Sequence, residues 1–201
     1  MFKLMLVTDR RRAIRPITET VRMALAGGVD AVQLRERDIS ARELYDLALK
    51  LRAITREAGA ALIVNQRLDV ALAVGADGVH LGWRSLNPAD VRKLAGEKFL
   101  IGISCHDGPQ IHSAEQARAD YALLGPVFRT PSKEGLAYTI GIGPLKNLVS
   151  VAKIPILAIG GITPENAAQV METGVAGLAA ISALIDPEDP AAVARAFRKE
   201  V

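Results

Sequence analysis

The chain has 201 residues, 25 Lys and Arg against 22 Asp and Glu for a net charge of +3, and 50% hydrophobic residues. That is the length and composition of one ordinary folded domain, which excludes global disorder. The longest apolar stretch, 175–184, is interrupted by Gly177 and Ser182 and falls far short of the ~18 residues a membrane span needs.

The N-terminal MFKLMLVTDRRR has a short apolar run ending in charge and no small-residue cleavage site, so Leu4–Thr8 reads as a first strand. A helix is predicted over Ile17–Ala26, then a strand over Ala31–Arg35 and a long helix over Ala41–Ala58. Ser40 opens that helix, with Glu43 at capping-box spacing. A strand at Ala61–Val64 and a short helix at Leu68–Val74, the weakest pattern, come next. The strand Gly78–Leu81 leads to a helix at Pro88–Leu94, announced by Asn87 before Pro88. Strands at Phe99–Ser104 and Tyr121–Gly125 flank a helix at Ser113–Arg118. The chain closes with a helix at Gly143–Val151, a strand at Ile156–Ile159, a helix at Pro164–Thr173 behind Thr163, a strand at Gly177–Ile181 and a helix at Ala191–Lys199.

Eight strand–helix units at about 25 residues each lie near the minimum for a βα repeat. The phrases AGGVDAV (26–32), VGADGVH (74–80) and TGVAGLA (173–179) recur just ahead of strands, with glycine where a helix ends. Strict alternation implies a parallel sheet, and eight units favour closure. The expected fold is α/β, a single (β/α)8 TIM barrel, with residues 1–201 as one domain. No G-x-G-x-x-G follows the first strand, which argues against an open dinucleotide-binding sheet.

Cys105 is the single cysteine, so neither an internal disulfide nor a cysteine-based zinc site can form. These features suit a cytoplasmic protein. A pI near 9.2 invites a nucleic-acid reading. The excess is only three charges, however, acids interleave with bases as in Arg35-Glu36-Arg37-Asp38, and aromatics are 4%, too few for stacking platforms. Neither nucleic acid nor a membrane is expected as a partner.

Chemistry in such a barrel sits at the C-terminal strand ends. In order these present Thr8-Asp9-Arg10; Gln33 and Arg35-Glu36-Arg37; Asn65-Gln66-Arg67; His80 with Trp83-Arg84-Ser85 beyond; and Ser104-Cys105-His106. The sixth strand opens into a loop at 126–141 with Arg129, Thr130, Ser132 and Lys133; the seventh ends Gly160-Gly161 and the eighth Ser182. Cations at this mouth far outnumber the carboxylates Asp9, Glu36 and Glu134, which suits an anionic, phosphorylated ligand. Gly160-Gly161 lets backbone N–H groups approach a phosphate, or simply makes a tight turn. His106 follows the fifth strand, where an imidazole can take and return a proton. His80 reads as structural and His112 as solvated. Alternation turns Cys105 away from Ser104 and His106, making it a buried thiol and not a nucleophile. Arg10–Arg12 and Arg15 either steer anions to the mouth or form a solvated loop. No metal cluster is legible, since hard cations need convergent carboxylates.

The phrases LVTDR (6–10), VQLRER (32–37), VNQRLDVALAVGADGVHLG (64–82), IGISCH (101–106), ADYALLGPVFRTPSKEG (119–135), AIGGI (158–162) and AAISAL (179–184) resemble the thiamin phosphate synthase and TenI group almost end to end. The resemblance implies the barrel and a place in thiamin biosynthesis. In the synthase, which couples an aminopyrimidine diphosphate to a thiazole phosphate, two aspartates hold Mg²⁺. Their positions here are Gln66 and Ser85, and the family's lysine is Arg37. TenI-type proteins look like the synthase without the metal pair, and their R-E-R phrase matches Arg35-Glu36-Arg37. The expectation is therefore a cofactor-free and metal-free thiazole tautomerase. It would act on a small phosphorylated thiazole, carboxythiazole phosphate, with His106 as acid and base.

By the same resemblance Gly160, Gly161, Ile181 and Ser182 bind the thiazole phosphate. Gln33, Arg35, Asn65 and Ser104 match the synthase's pyrimidine-diphosphate residues, with Arg35 and Arg37 free to hold a carboxylate in a tautomerase. Thr130, Ser132 and Lys133 match a loop shared by both ligands' sites. Retention of Gln33, Asn65 and Thr130–Lys133 argues against a pure tautomerase. The alternatives are a thiamin phosphate synthase with metal ligands shifted to Asp9 or Glu36, and a non-catalytic phosphometabolite-binding regulator. The oligomeric state stays open, a homodimer included.

Overall fold

The computed structural model describes residues 1–82, 84–130 and 139–201. Eight parallel strands close into a barrel: β1 (Leu4–Val7), β2 (Ala31–Leu34), β3 (Ala61–Asn65), β4 (Gly78–Leu81), β5 (Leu100–Cys105), β6 (Tyr121–Leu124), β7 (Ile156–Ile159) and β8 (Gly177–Ala180). Each pairs with the next, and β8 returns to β1 through Leu4–Leu178, Met5–Ala179 and Leu6–Ala180. Helices α1 (Ile17–Ala26), α2 (Ala41–Glu57), α3 (Leu68–Ala73), α4 (Pro88–Ala95), α5 (Gly108–Gln116), α6 (Ile142–Val151) and α7 (Pro164–Met171) follow the first seven strands in turn. After β8 come a single turn, α8 (Ser182–Ile185), and then α9 (Pro190–Arg198). The expected (β/α)8 barrel is the fold observed.

Strand alternation sorts the apolar residues into two cores. Leu4, Leu6, Val32, Leu34, Leu62 and Val64 pack outward under the helices. Met5, Val7, Ala31, Ile63, Tyr121, Leu123 and Leu157 fill the interior. Gly102 belongs to this filling: a Cβ there would lie 2.1 Å from the Tyr121 ring, so the smallest residue faces the largest. Phe2 packs edge-on against Tyr121 at 5.8 Å and closes the end remote from the strand C-termini.

The recurring phrase ahead of β2 and β4 does more than stop a helix. Its aspartate accepts backbone N–H groups of the preceding strand: Asp30 from Lys3 and Leu4, Asp77 from Leu62. Asp120, ahead of β6, does the same for Ile101 at 2.7 Å. Each carboxylate also meets an arginine from the helical layer: Arg198 on α9 at 3.5 Å, Arg52 on α2 at 2.7 Å and Arg92 on α4 at 2.6 Å. Three aspartate–arginine pairs thus tie helices to alternate strands at the floor. The third copy of the phrase carries Ala176 at that place.

The capping box at Ser40 forms as expected, with Glu43 N–H donating to Ser40 Oγ. One helix differs. The fifth was expected at Ser113–Arg118 and begins instead at Gly108, because Asp107 Oδ1 accepts the Gln110 N–H at 2.9 Å and Pro109 occupies the first turn. Gly108-Pro109 looks like loop punctuation in the sequence but sits where proline is tolerated in a helix.

Candidate functional site

Inward residues near the strand C-termini are polar, and they surround a cavity of about 1260 Å³. Gln33, Arg35 and Arg37 from β2 and its extension, Asn65 from β3, His80 from β4, and Ser104 and His106 from β5 and its end all line it. Strand register sets Asn65 directly beside His80. Gln33 is buried, its amide nitrogen 3.8 Å from Met5 Sδ.

Arg35 is fixed at its backbone, whose N–H donates to Thr8 Oγ1 at 2.9 Å. Burial, followed by repulsion from Arg37, pulls its guanidinium below the ordinary value. Glu36, between them, lies at the cavity edge with its carboxylate turned to Arg10. Its carboxylate is buried and accepts the Arg10 backbone N–H at 3.0 and 3.2 Å, with the Arg10 guanidinium at 3.5 Å. Burial pushes its pKa up, against hydrogen bonds from Thr8 and Arg10.

His80, read from the sequence as structural, forms part of the cavity floor. Its Nε2 lies 2.9 Å from Ser104 Oγ, and its buried Nδ1 has no partner among the described residues. Burial, then the charge of Arg35, holds its pKa down to about 3, so the ring is neutral. His106 is held by the neighbouring strand: Nδ1 donates to the Gly125 carbonyl, and the backbone N–H donates to Gln110 Oε1 at 3.0 Å. That arrangement leaves Nε2 as the ring nitrogen for a ligand. Cys105 faces the outer core as expected, and burial pushes its thiol up to about 12.

A second, smaller cup of about 50 Å³ lies alongside, lined by Thr130, Gly160, Gly161, Ile181 and Ser182. Ile159 and Ile181 line both spaces, so they share a wall. The glycines are required by contact and by conformation. Gly160 has φ +103°, and a Cβ on it would lie 2.6 Å from Pro126 Cα; Gly161 has φ +65°, and its Cβ would meet the Arg129 carbonyl at 2.5 Å. Ile181 caps α8, whose first-turn N–H groups have no partner within the helix.

The structure therefore gathers Gln33, Arg35, Arg37, Asn65, Ser104 and His106 in one space, and Thr130, Gly160, Gly161, Ile181 and Ser182 in the other. Ser132, Lys133, Glu134 and Trp83 lie outside the described residues. Arg129, expected at the mouth, lines neither space. The arginine run is engaged: Arg10 pairs with Asp38, Arg11 with Asp9, Arg12 with Asp186, and Arg15 donates to the Glu188 carbonyl. Sequence reasoning missed His80, which its place inside a strand disguised, and Gln110, whose spacing from Asp107 is the signal of the helix cap that orients it.

The residues present do not fit a divalent cation. Gln66 and Ser85 supply an amide and a hydroxyl where a hard cation needs carboxylate oxygens. Ser85 Oγ already accepts the Gly82 N–H at 2.9 Å. The shifted ligands considered from sequence are engaged elsewhere, Glu36 by Arg10 and Asp9 by Arg11 at 3.3 Å. Among the described residues no His, Cys, Asp and Glu cluster able to hold a metal is found, and no helix is long and apolar enough to cross a membrane.

A parallel barrel with a cation-rich cavity and a glycine-lined cup sharing one wall at the strand C-termini defines the class, a (β/α)8 protein with a positively charged site. The chain belongs to the thiamine monophosphate synthase family, whose model matches residues 4–184. It is 45% identical over 195 residues to the thiamine-phosphate synthase of Moorella thermoacetica, covering 97% of this chain and 93% of that one. To the thiamine-phosphate synthase of Syntrophomonas wolfei it is 43% identical over 199 residues, covering 98% and 95%. The solved structure of thiamine phosphate pyrophosphorylase from Pyrococcus furiosus superposes with a TM-score of 0.90 at 41% identity, covering 98% of this chain and 94% of that one.

These relatives overturn the tautomerase expectation, and with it the isomerase assignment. That expectation weighed the loss of acids at positions 66 and 85 above everything else. Those two residues bear on metal binding and leave the rest of the cavity, Gln33 and Asn65 included, out of account.

Proposed function

We propose that the chain is a transferase of the thiamine-phosphate synthase type, joining an aminopyrimidine diphosphate to a thiazole phosphate and releasing diphosphate. The supporting observation is the pair of adjoining spaces with Ile159 and Ile181 in common. Two anionic ligands seated there abut across one apolar wall, and proximity of that kind converts a bimolecular step into an effectively unimolecular one. The carbon–oxygen bond to the diphosphate breaks with its electron pair leaving on oxygen, while the thiazole nitrogen's lone pair makes the new bond.

In this reading the cup takes the thiazole phosphate on backbone N–H groups at Gly160, Gly161, Ile181 and Ser182. Gln33, Asn65 and Ser104 meet the pyrimidine, Arg35 and Arg37 take the diphosphate, and Thr130 stands where the ligands meet. His106 stands in the wall with Nε2 toward the ligands, without the proton-shuttling role expected of it. Residues 1–201 act as one domain. The test is a coupling assay with both substrates, read as thiamin phosphate appearing in step with diphosphate release. Binding of both substrates with no product, with or without Mg²⁺, would refute the transferase and leave a binding protein.

A further inference from the structure

We propose that the diphosphate of the larger substrate is carried by arginine side chains and not by a protein-bound divalent cation. The inference rests on the transferase reading and deepens it. Gln66 and Ser85 both line the cavity and converge on Gly82: a Cβ on Gly82 would stand 3.0 Å from the Gln66 amide and 4.0 Å from Ser85 Oγ. The place where two carboxylates would meet a hard cation is occupied by neutral groups, one already hydrogen-bonded to the backbone. Glu36 is the sole carboxylate lining the cavity among the described residues, and Arg10 holds both its oxygens.

The charge here has the opposite sign. Arg35 and Arg37 stand two residues apart on one strand end, so alternation brings both to the same side, and each lines the cavity. Neither forms an ion pair with a described carboxylate, although most arginines around the rim do. Two guanidiniums that repel each other, one of them half-buried, are costly alone and favourable around a polyanion. A diphosphate offers the charge and the oxygen geometry that two guanidinium forks match. During transfer the electron pair of the breaking carbon–oxygen bond moves onto the diphosphate, and Arg35 and Arg37 stabilise that growing charge in place. No co-reactant is needed beyond the two substrates.

The experiment is calorimetric titration of inorganic diphosphate into the full chain, once in EDTA and once with excess Mg²⁺. Saturable binding in EDTA is expected, with Mg²⁺ tightening it by no more than about twofold. Arg37→Gln, at an exposed position, should weaken binding in EDTA by about tenfold or more. Replacing both Gln66 and Ser85 by Asp should create a metal requirement, with binding at least about tenfold tighter in Mg²⁺ than in EDTA. Wild-type binding only in Mg²⁺, or Arg37→Gln binding as wild type does, would overturn the proposal. Because inorganic diphosphate binding needs no turnover, the two readings fail separately. Binding in EDTA without any coupling product sinks the transferase and leaves the arginine site. Coupling that needs Mg²⁺, with no binding in EDTA, does the reverse.

Discussion

Lowering the pH from 7 to 5 should remove about 2 kcal/mol of stability through His80 alone. The imidazole is 2% exposed, and burial with the neighbouring Arg35 charge takes its pKa from 6.5 to about 3. The unfolded chain binds a proton there below about 6.5, and the folded chain does not until far lower. A depressed pKa of this kind contributes in full above the unfolded value and is lost as pH falls through the window toward the folded one. The loss runs at about 1.4 kcal/mol per pH unit, and the interval from 6.5 to 5 spans about 1.5 units. The groups packed around the ring, Ser104, Asn65, Arg35 and the Tyr121 ring at 5.9 Å, do not titrate in this interval.

His80→Gln keeps a hydrogen-bonding group within reach of Ser104 without a titrating ring. Urea unfolding followed by circular dichroism at both pH values should show the wild type losing about 2 kcal/mol more than the variant between pH 7 and pH 5. Nuclear magnetic resonance of the labelled imidazole should find it neutral at pH 5. Equal losses in the two proteins, or a protonated His80 at pH 5, would refute the reasoning.

Gly161→Ala should raise the KM for thiazole phosphate and cost about 2 kcal/mol or more in denaturant unfolding, since φ +65° is strained for alanine and its Cβ would press on the Arg129 carbonyl. Arg92→Met should cost about 3 kcal/mol in the same measurement: Arg92 donates to the carbonyls of Gly96, Glu97 and Phe99 and pairs with Asp120. Coupling kinetics of that variant, measured below its melting range, should stay close to wild type because the residue sits at the opposite end of the barrel from the cavity. Ser40→Ala removes the α2 cap and should lower stability by about 1 kcal/mol with activity unchanged.

The barrel was legible because eight apolar runs alternate with helical spacing, and period-two alternation told Cys105 apart from Ser104 and His106 in advance. Local rules failed where a contact distant in sequence decides. The Arg10–Arg12 run reads as free charge until Asp38 and Asp186 arrive from other parts of the chain. His80 reads as a strand residue until β5 brings Ser104 beside it. The recurring phrase reads only as a helix end at its glycine, whereas its aspartate carboxylate serves the strand before it. Positions 66 and 85 carried a correct observation to the wrong reaction, since losing a metal's ligands says how charge is not handled and leaves the bond being made undetermined.

Tyr121, wedged over Gly102 and backed by Phe2, makes the barrel a well and not a tube. A molecule resting on His80 and Asn65 has a single way out, past whatever occupies the rim above it. Whatever enters the cavity therefore comes and goes at the strand C-terminal end, beside the cup that shares its wall.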